Sequence, residues 1–240
     1  DGGARSARRP LPGAIMPHHD LAAPLMDEVY GMLSRELPSP GRILLIAPDH
    51  YLRGRSAVTF RGAPWDASFG PLPEDRDGVR ALERLARRQD DIFPGDHGVT
   101  EHIPRIRRAW GNVPVLPVMV RPEATDLQIL AIAKALLPLL EEGAAVILSM
   151  DFSHYKPASE ARREDERSTG AIRSFRFNDL NRLDIDCPRG ARLFLQLMKL
   201  SGAAKSRVLA TGNSDDFMAS PTARTTGYVT MIFGGGQGAP

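Results

Sequence analysis

The chain has 240 residues, of which 42% are hydrophobic and 25% charged, the balance of an ordinary globular protein. Its formal net charge of +2 gives no reason to expect nucleic acid or an anionic membrane as a partner. The longest apolar stretch, residues 126–140, is interrupted by Gln, Lys and Pro and falls short of the roughly 20 apolar residues that a membrane span needs. The single cysteine, Cys187, excludes an internal disulfide framework and favours a reducing, cytoplasmic location.

Both ends of the chain have compositions that favour irregular structure. Residues 1–12 are rich in Gly, Arg and Pro and lack the apolar segment of a secretory signal, so we expect a flexible N-terminal arm there. Residues 234–240 are predicted to form a Gly-rich tail. The intervening residues 13–233 contain no repeat and no clear linker, which predicts a single domain.

Strand-like and helix-like segments alternate between these ends. Strands are predicted over Gly13–Met16, Arg42–Ala47, Val113–Val120, Ala144–Met150, Arg207–Ala210 and Thr226–Phe233. Helices are predicted over Leu21–Leu37, Asp77–Gln89, Glu101–Trp110, Asp126–Glu142, Ser159–Asn178 and Arg189–Ser201. Such alternation indicates an α/β domain with a mostly parallel central sheet flanked by helices on both faces. Residues 54–76 lack periodicity and predict a long ordered loop, a length that commonly serves function.

Histidines lie just after several of the predicted strands, in turns that contain Pro, Asp or Ser. His18 and His19 follow the first strand in PHHD, His50 follows the second in APDH, and His154 follows the fourth in MDFSH. Ligands of open α/β sheets bind in the crevice beyond the carboxyl ends of the strands. The sequence therefore predicts that imidazoles converge there on one metal or acid–base centre.

The first two histidine segments each have two interpretations. His18 and His19 are adjacent, so one should face the crevice as a metal ligand; alternatively, a histidine next to Asp20 caps the following helix. His50 fits a metal ligand whose ring is oriented by the neighbouring Asp49, or it belongs to an ordinary loop. The recurrence of Pro-His and Pro-Asp-His after consecutive strands favours the ligand interpretation.

Other histidines have carboxylates beside them. A helical turn after Asp151 would bring its side chain and that of His154 to one side, an arrangement suited to general acid–base catalysis; a helix cap at Asp151 is the alternative. Glu101 and His102 cannot share one helix face, so we expect one to enter the site and the other to support it. His97 is predicted to lie in a surface loop.

Two residues in polar turns complete the candidate set. Cys187, in DIDCPRG, stands at the start of a predicted helix, where a thiol's pKa is lowered and the metal-binding thiolate is favoured. A lone cysteine is otherwise most often a small buried hydrophobic residue. Asn213 follows a predicted strand and either borders the pocket or belongs to an ordinary turn.

The segments PHHD, APDHY, TEHIP, VPVMV, SMDFSHY, DCPRG and TGYVTMIF occur in this order between about Gly13 and Phe233. In that order they resemble the Memo-like family, the group found in bacteria and archaea as protein B of the AmmeMemoRadiSam system. The resemblance implies a LigB-like fold, similar to that of the class III extradiol dioxygenases. Those enzymes use a non-haem ferrous ion to open catechol rings with O₂.

The resemblance also implies a metal site. Carried onto this sequence, its ligands are His18, His50 and Cys187, and the expected metal is iron, with copper or zinc as alternatives. A thiolate in place of the dioxygenases' carboxylate shifts the preference toward softer metals. The first motif reads PHHD where the family more often has PHAG, so His19 and Asp20 stand at the mouth of the pocket.

The same resemblance implies catalytic and pocket residues. His154 matches the acid–base histidine of the extradiol enzymes, with Asp151 nearby. Glu101 and His102 match the family's EH pair, which lines the same pocket.

Three functions remain open at this stage. The leading hypothesis is a metal-dependent, dioxygenase-like oxidoreductase acting on an unknown small molecule. The second is a non-catalytic binding or scaffold protein that reuses the pocket for a ligand or partner. The third hypothesis, a metal-dependent hydrolase, is supported only by the His and Asp content of the chain. Family membership implies a radical-SAM protein and an AMMECR-type protein as system partners.

Overall fold

The computed structural model describes residues 12–66, 68–140 and 143–234, and its elements alternate along the chain. The strands are β1 (Gly13–Met16), β2 (Ile43–Pro48), β3 (Val58–Phe60), β4 (Arg87–Arg88), β5 (Val115–Val120), β6 (Ala145–Ser149), β7 (His154–Lys156), β8 (Lys205–Asn213) and β9 (Thr225–Gly234). The α-helices are α1 (Ala23–Glu36), α2 (Arg76–Leu82), α3 (His97–Thr100), α4 (Ile103–Trp110), α5 (Asp126–Leu140), α6 (Ala158–Arg173) and α7 (Pro188–Leu200).

All nine strands join one mixed sheet in the order β4-β3-β5-β2-β6-β1-β9-β7, and β8 pairs with β9. The four central strands, β5, β2, β6 and β1, are mutually parallel. The flanks turn antiparallel, where β3 meets β5 and where β9 meets β1, β7 and β8. The predicted α/β domain with a mostly parallel sheet is therefore confirmed, with antiparallel pairing added at its edges.

Alternating side chains of the central strands divide the core into two layers. In β2, Leu44 and Ile46 pack in one apolar cluster, and Leu45 and Ala47 pack in the other. The first cluster is closed by α2, α5, α6 and α7, and the second by α1, α3 and α4. Because both faces are covered, the central strands are apolar except for Ser149 at the end of β6, as is typical of buried parallel strands.

Several predicted bounds differ from the structure; for example, the helix predicted over Ser159–Asn178 ends at Arg173. Two segments differ in the kind of structure they form. The helix expected over Asp77–Gln89 ends at Leu82, because Arg87 and Arg88 instead pair with β3 as the edge strand β4. The long loop expected over residues 54–76 contains β3 and a bridge between Trp65 and Leu72. Both differences arise from pairing between segments distant in sequence, which local periodicity does not register.

The ends of the chain fall largely outside the described residues. The flexible arm predicted over residues 1–12 is described only at Pro12, and the tail predicted over residues 234–240 only at Gly234, which ends β9. Among the described helices, none has the length and apolar character needed to cross a membrane.

The sheet places three strand ends side by side. Strands β2, β6 and β1 are neighbours and run parallel, so their carboxyl ends open on the same edge. The residues that follow them include His50, Asp151 and His18, respectively. The crevice predicted from the sequence therefore lies at this edge.

Candidate metal centre

His18 is held in one tautomer by a chain of hydrogen bonds. The Ser149 hydroxyl, at the end of β6, donates its proton to the carbonyl oxygen of Gly98 at 2.6 Å. The same hydroxyl oxygen lies 2.8 Å from Nδ1 of His18 and must therefore accept a proton from it. In the neutral ring Nε2 is then left with its lone pair, which is the state that binds a metal ion.

His50 is held in the same tautomer by a carboxylate. Its Nδ1 lies 2.7 Å from Oδ1 of Asp96, which can only accept when ionised. Asp96 also accepts from the backbone N–H groups of His50 and Gly98, so both carboxylate oxygens are committed. A Cβ at Gly98 would lie 2.8 Å from the His50 ring, and glycine is therefore needed for this approach.

The free nitrogens of these two rings meet a third donor, the carboxylate of Asp186. Nε2 of His18 lies 3.1 Å from Nε2 of His50 and 3.0 Å from Oδ2 of Asp186. Nε2 of His50 lies 3.7 Å from the same oxygen. Among the described residues, this oxygen has no hydrogen-bond partner. Three lone-pair-bearing atoms thus converge, which only a proton or a metal cation between them can stabilise.

The position of Asp186 is fixed by the loop that leads into α7. Its backbone N–H donates to the carbonyl oxygen of Asp151 at 3.2 Å. Its Oδ1 accepts from the backbone N–H of Asp151 at 3.1 Å. Asp151 in turn accepts from the backbone N–H of His18. The loop is therefore joined to the ends of β6 and β1, and the second oxygen of Asp186 is left to face the histidines.

Opposite charges control the ionisation of this centre. Burial disfavours a charged His18 ring, but Asp151 and Asp186 outweigh it and raise the pKa of His18. Burial likewise opposes protonation of His50, yet the nearby carboxylates of Asp186 and Asp96 raise its pKa to about 9. Burial favours a protonated Asp186, but the two histidines hold the pKa of that carboxyl below its ordinary value. Without a metal, the centre retains a proton at neutral pH.

His97, predicted to lie in a surface loop, belongs to this centre. Its ring stacks on His50 with centroids 4.1 Å apart and meets the edge of His18 at 5.2 Å. Its ligand atom lies within 4.8 Å of those of His18 and His50. Burial and the two neighbouring rings lower the pKa of His97 to about 4, so it is neutral. The surface-loop prediction was wrong because α3 returns the chain to the ends of β2 and β6.

Cys187 lies elsewhere, although it is adjacent to Asp186. Its side chain is buried in an apolar cluster that includes Ile46 and Leu148. Burial raises the pKa of the thiol well above its ordinary value, and the charge of Asp186 adds to this. The described part of the chain has two groups of clustered potential metal ligands, one of His18, His50 and His97 and the other of His18, Asp151 and Asp186. Cys187 belongs to neither group. The structure thus brings the rings of His18 and His50 together, with the carboxylate of Asp186 beside them and the side chain of Cys187 in the apolar core.

Asp151 borders the centre, and His154 begins the next strand. Oδ2 of Asp151 lies 3.7 Å from Nε2 of His18, and burial raises the pKa of its carboxyl. The predicted helical turn after Asp151 is wrong, because residues 151–153 are irregular and His154 starts β7, paired with Thr226. His154 is half-buried, and its charge acts on Asp151. The two side chains are near each other, but through a strand rather than a helix.

The two residues of the EH pair have different partners, and neither belongs to the clustered potential ligands of the described residues. His102 is fully buried, and its Nδ1 lies 2.9 Å from the Tyr30 hydroxyl. Burial, followed by the charges of His18 and Arg105, lowers the pKa of His102 well below its ordinary value. Glu101 is half-buried and forms an ion pair with Arg105 at 3.0 Å.

The remaining pocket candidates organise turns. His19 is exposed and caps the short 3₁₀ turn Asp20–Ala22 through its ring nitrogen, so of the adjacent pair it is His18 that enters the crevice. Asp49 accepts from the backbone N–H groups of Arg53 and Gly54. Asn213 caps the 3₁₀ turn that follows β8, and its side-chain nitrogen is buried without a partner among the described residues.

Comparison with known proteins assigns the chain to a family. The profile of the family described as Memo-like protein matches residues 4–232. The chain belongs to the Memo-like protein family. Similar proteins include a MEMO1 family protein of Methanopyrus kandleri, 25% identical over 93% of this chain and 83% of that protein. A MEMO1 family protein of Aquifex aeolicus is 24% identical over 86% of this chain and 79% of that protein.

A solved structure shares the Memo-like fold found here. It is the crystal structure of an uncharacterized protein from Escherichia coli K12, with a TM-score of 0.62 over 92% of this chain and 99% of that chain. At 13% sequence identity this likeness concerns the fold alone. The family assignment confirms the resemblance to the Memo-like family that the sequence motifs indicated.

Sequence reasoning missed several of the residues that build the centre. They are Asp96, His97, Ser149 and Asp186. A signal for two of them was present, because Asp96-His97 repeats the Asp-His pair of Asp49-His50. Asp186 stands in a loop of several acidic residues, and there the chain alone does not indicate which carboxylate faces the site.

Proposed function

We propose that this Memo-like protein binds one metal ion between His18, His50 and Asp186. The observation that carries the proposal is the convergence of two histidine nitrogens and one carboxylate oxygen within 3.7 Å of one another. Both histidine rings are anchored through Nδ1, which leaves Nε2 free, as in established metal sites. The donor set therefore fits a resident metal.

Two histidines and one carboxylate favour iron among the metals expected from the sequence. This set, with further positions open, is typical of non-haem ferrous oxygenases, whereas a thiolate would favour copper or zinc. Bound iron would supply Lewis-acid and redox chemistry at this edge of the sheet. We infer a dioxygenase-like oxidoreductase acting on a small molecule, with copper and zinc as the alternative metals.

The chain's own acid–base groups are placed beside the donors. Asp151 is buried next to His18, with its carboxyl pKa raised by burial, so it can hold a proton near the reacting centre. His154 acts electrostatically on Asp151 from the start of β7, and its ring is half-buried, between Asp151 and solvent. We assign proton movement to these two residues, in agreement with the role that the family resemblance implies for His154.

Elemental analysis of protein purified without oxygen tests the metal site and its ligands together. Asp186→Asn keeps an oxygen that can accept from Asp151 but loses the negative charge, and Cys187→Ser changes the neighbouring thiol in the core. We expect near-stoichiometric iron in the wild type and in Cys187→Ser, and its loss in His50→Ala and Asp186→Asn. If iron were lost in Cys187→Ser but retained in Asp186→Asn, the third ligand would be the thiolate of Cys187, as the family resemblance implies, and not Asp186.

A second candidate function rests on the apolar side chains at the mouth of the centre. Tyr51 and Leu52 follow His50 directly and are 51% and 56% exposed. Exposed apolar residues beside a pocket are typical of ligand or partner binding. A metal-free protein that fails to take up iron, copper or zinc on reconstitution would favour this non-catalytic binding role. The expected radical-SAM and AMMECR-type partners remain a prediction.

A further inference from the structure

His97 differs from the other histidines of the centre in how its ring is held. His18 and His50 are each anchored by a hydrogen bond at Nδ1, to Ser149 and Asp96. In the described part of the chain, the ring of His97 has contacts with other rings only: His18, His50 and Tyr51. Its nitrogens are therefore free to take a new partner by rotation of the side chain.

The backbone beneath this ring is fixed. Asp96 caps α3 by accepting from the N–H of Gly98, and the backbone N–H of Glu101 donates to the carbonyl oxygen of His97. His97 is also half-exposed, so its ring lies between the buried donors and solvent. The combination is a ring without a hydrogen-bond anchor among the described residues, on a backbone that is held in place, at the open side of the centre.

The orientation of the ring shows that His97 is near the donors without being aligned with them. Its plane lies 23° from that of His50, with the centroids 4.1 Å apart. Lone pairs of imidazole nitrogens lie in the ring plane, so those of two stacked rings lie in nearly parallel planes and do not meet at a common point between the rings. The ligand atom is nevertheless within 4.8 Å of those of His18 and His50, a separation that a rotation of the side chain can close.

We propose that His97 is a displaceable fourth ligand, which binds the metal when no external ligand is present and withdraws onto the His50 ring when one binds. The proposal rests on the metal site described above. The stacked position seen here is then the open form, and Tyr51 lies beside it, 6.4 Å from the His97 ring. An incoming small anion or substrate oxygen would compete directly with the His97 nitrogen.

Cobalt(II) and azide test this competition without reference to catalysis. His97→Phe keeps a ring that can stack on His50 but removes the donor nitrogens, and His97→Ala removes both. His19→Ala is the matched control, because it deletes an exposed neighbouring histidine outside both groups of clustered ligands. Cobalt uptake, the visible cobalt spectrum and azide titration are measured on all four proteins.

We expect the His97 variants to change cobalt affinity and azide affinity in opposite directions. Both His97 variants should bind cobalt about tenfold or more weakly, since a donor is lost. They should bind azide about tenfold more tightly if the closed form accounts for about nine molecules in ten of the wild type. Their cobalt spectra without azide should differ from that of the wild type, and His19→Ala should match the wild type throughout.

The outcomes separate this inference from the metal site itself. Failure of the wild type to take up cobalt would overturn the metal site, and the inference with it. Uptake with unchanged spectra and azide affinity in His97→Phe would overturn the inference alone. Weaker azide binding in that variant would also overturn it, because His97 would then contact the external ligand instead of competing with it.

Discussion

Nε2 of His18 and Nε2 of His50 lie 3.1 Å apart, although the two residues follow different strands separated by a third. Each ring is oriented by a hydrogen bond at Nδ1, from His18 to the hydroxyl of Ser149 and from His50 to the carboxylate of Asp96. The anchors come from the end of β6 and the start of α3, so the centre depends on the register of the sheet as well as on its ligands.

Removal of the Ser149 hydroxyl should weaken metal binding without removing a ligand. In Ser149→Ala, Nδ1 of His18 loses its acceptor, and the ring is no longer held in the tautomer that leaves Nε2 free. We expect metal affinity to fall about 10- to 100-fold, as when other residues that orient metal ligands are changed. Competition with a chelator of known affinity measures it.

Ser168→Ala is the control for this change. Ser168 is also fully buried, but it lies in α6, and its hydroxyl has no partner among the described residues. Equal loss of affinity in the two variants would show that the Ser149 effect is a general loss of packing.

The pH dependence of stability and of metal affinity should have opposite signs. The pKa of His50 is raised from 6.5 to about 9 in the folded protein, so its protonation stabilises the metal-free fold fully below about pH 6.5. This contribution, at most about 3 kcal/mol, is lost as the pH rises through 9. Metal affinity should rise over the same range, because the metal must displace this proton.

Denaturant titrations of metal-free protein between pH 6 and pH 9.5 measure the first effect, and chelator competition the second. Asp96→Asn removes the negative charge that helps to raise the His50 pKa, so both pH dependences should shift to lower pH. Profiles that coincide with those of the wild type would contradict the role given to Asp96.

A methyl group at Gly190 should destabilise the fold through Cys187. A Cβ there would lie 2.3 Å from Sγ of Cys187 and 3.2 Å from Ile46. We expect Gly190→Ala to cost about 1–3 kcal/mol of unfolding free energy, the usual penalty of overpacking. Adding Cys187→Ala should recover part of this loss. No recovery would mean that the thiol points elsewhere.

Gly170→Ala provides the control for the Gly190 experiment. Gly170 lies within α6, and apart from its chain neighbours and the backbone of its own helix no heavy atom of the described residues lies within 4 Å of an added Cβ. Alanine there should be neutral or stabilise by up to about 1 kcal/mol, since glycine is unfavourable within helices.

Tyr30→Phe should lower stability but not metal content. The change removes the hydrogen-bond partner of His102 Nδ1 and leaves that buried nitrogen unpaired, at a cost of about 1–3 kcal/mol. Tyr155→Phe, at a side chain 75% exposed, should alter stability by less than about 0.5 kcal/mol. Loss of metal from Tyr30→Phe would instead show that His102 supports the ligands.

The sequence predicted the central strands and the edge at which the site lies, because buried parallel strands carry their signal in a few consecutive apolar residues. It also predicted that one histidine of His18-His19 faces inward. The residue that lies beside the two histidines as the proposed third donor could not be predicted. Asp186 and Cys187 are adjacent, and only the hydrogen bonds between Asp186 and Asp151 determine which one reaches the histidines. His97 was missed because its position depends on how α3 packs, not on a strand end.

The two hydrogen bonds between Asp186 and Asp151 also determine how hard a donor the proposed metal site would offer. They set the loop so that an oxygen donor faces the histidines while a sulfur donor, one residue later, lies in the core. A single-residue slip of this loop would exchange the two. A change in loop length between relatives would therefore exchange an oxygen donor for a sulfur donor, and would shift the metal preference of the proposed site from iron toward copper or zinc without any substitution in the Asp-Cys pair.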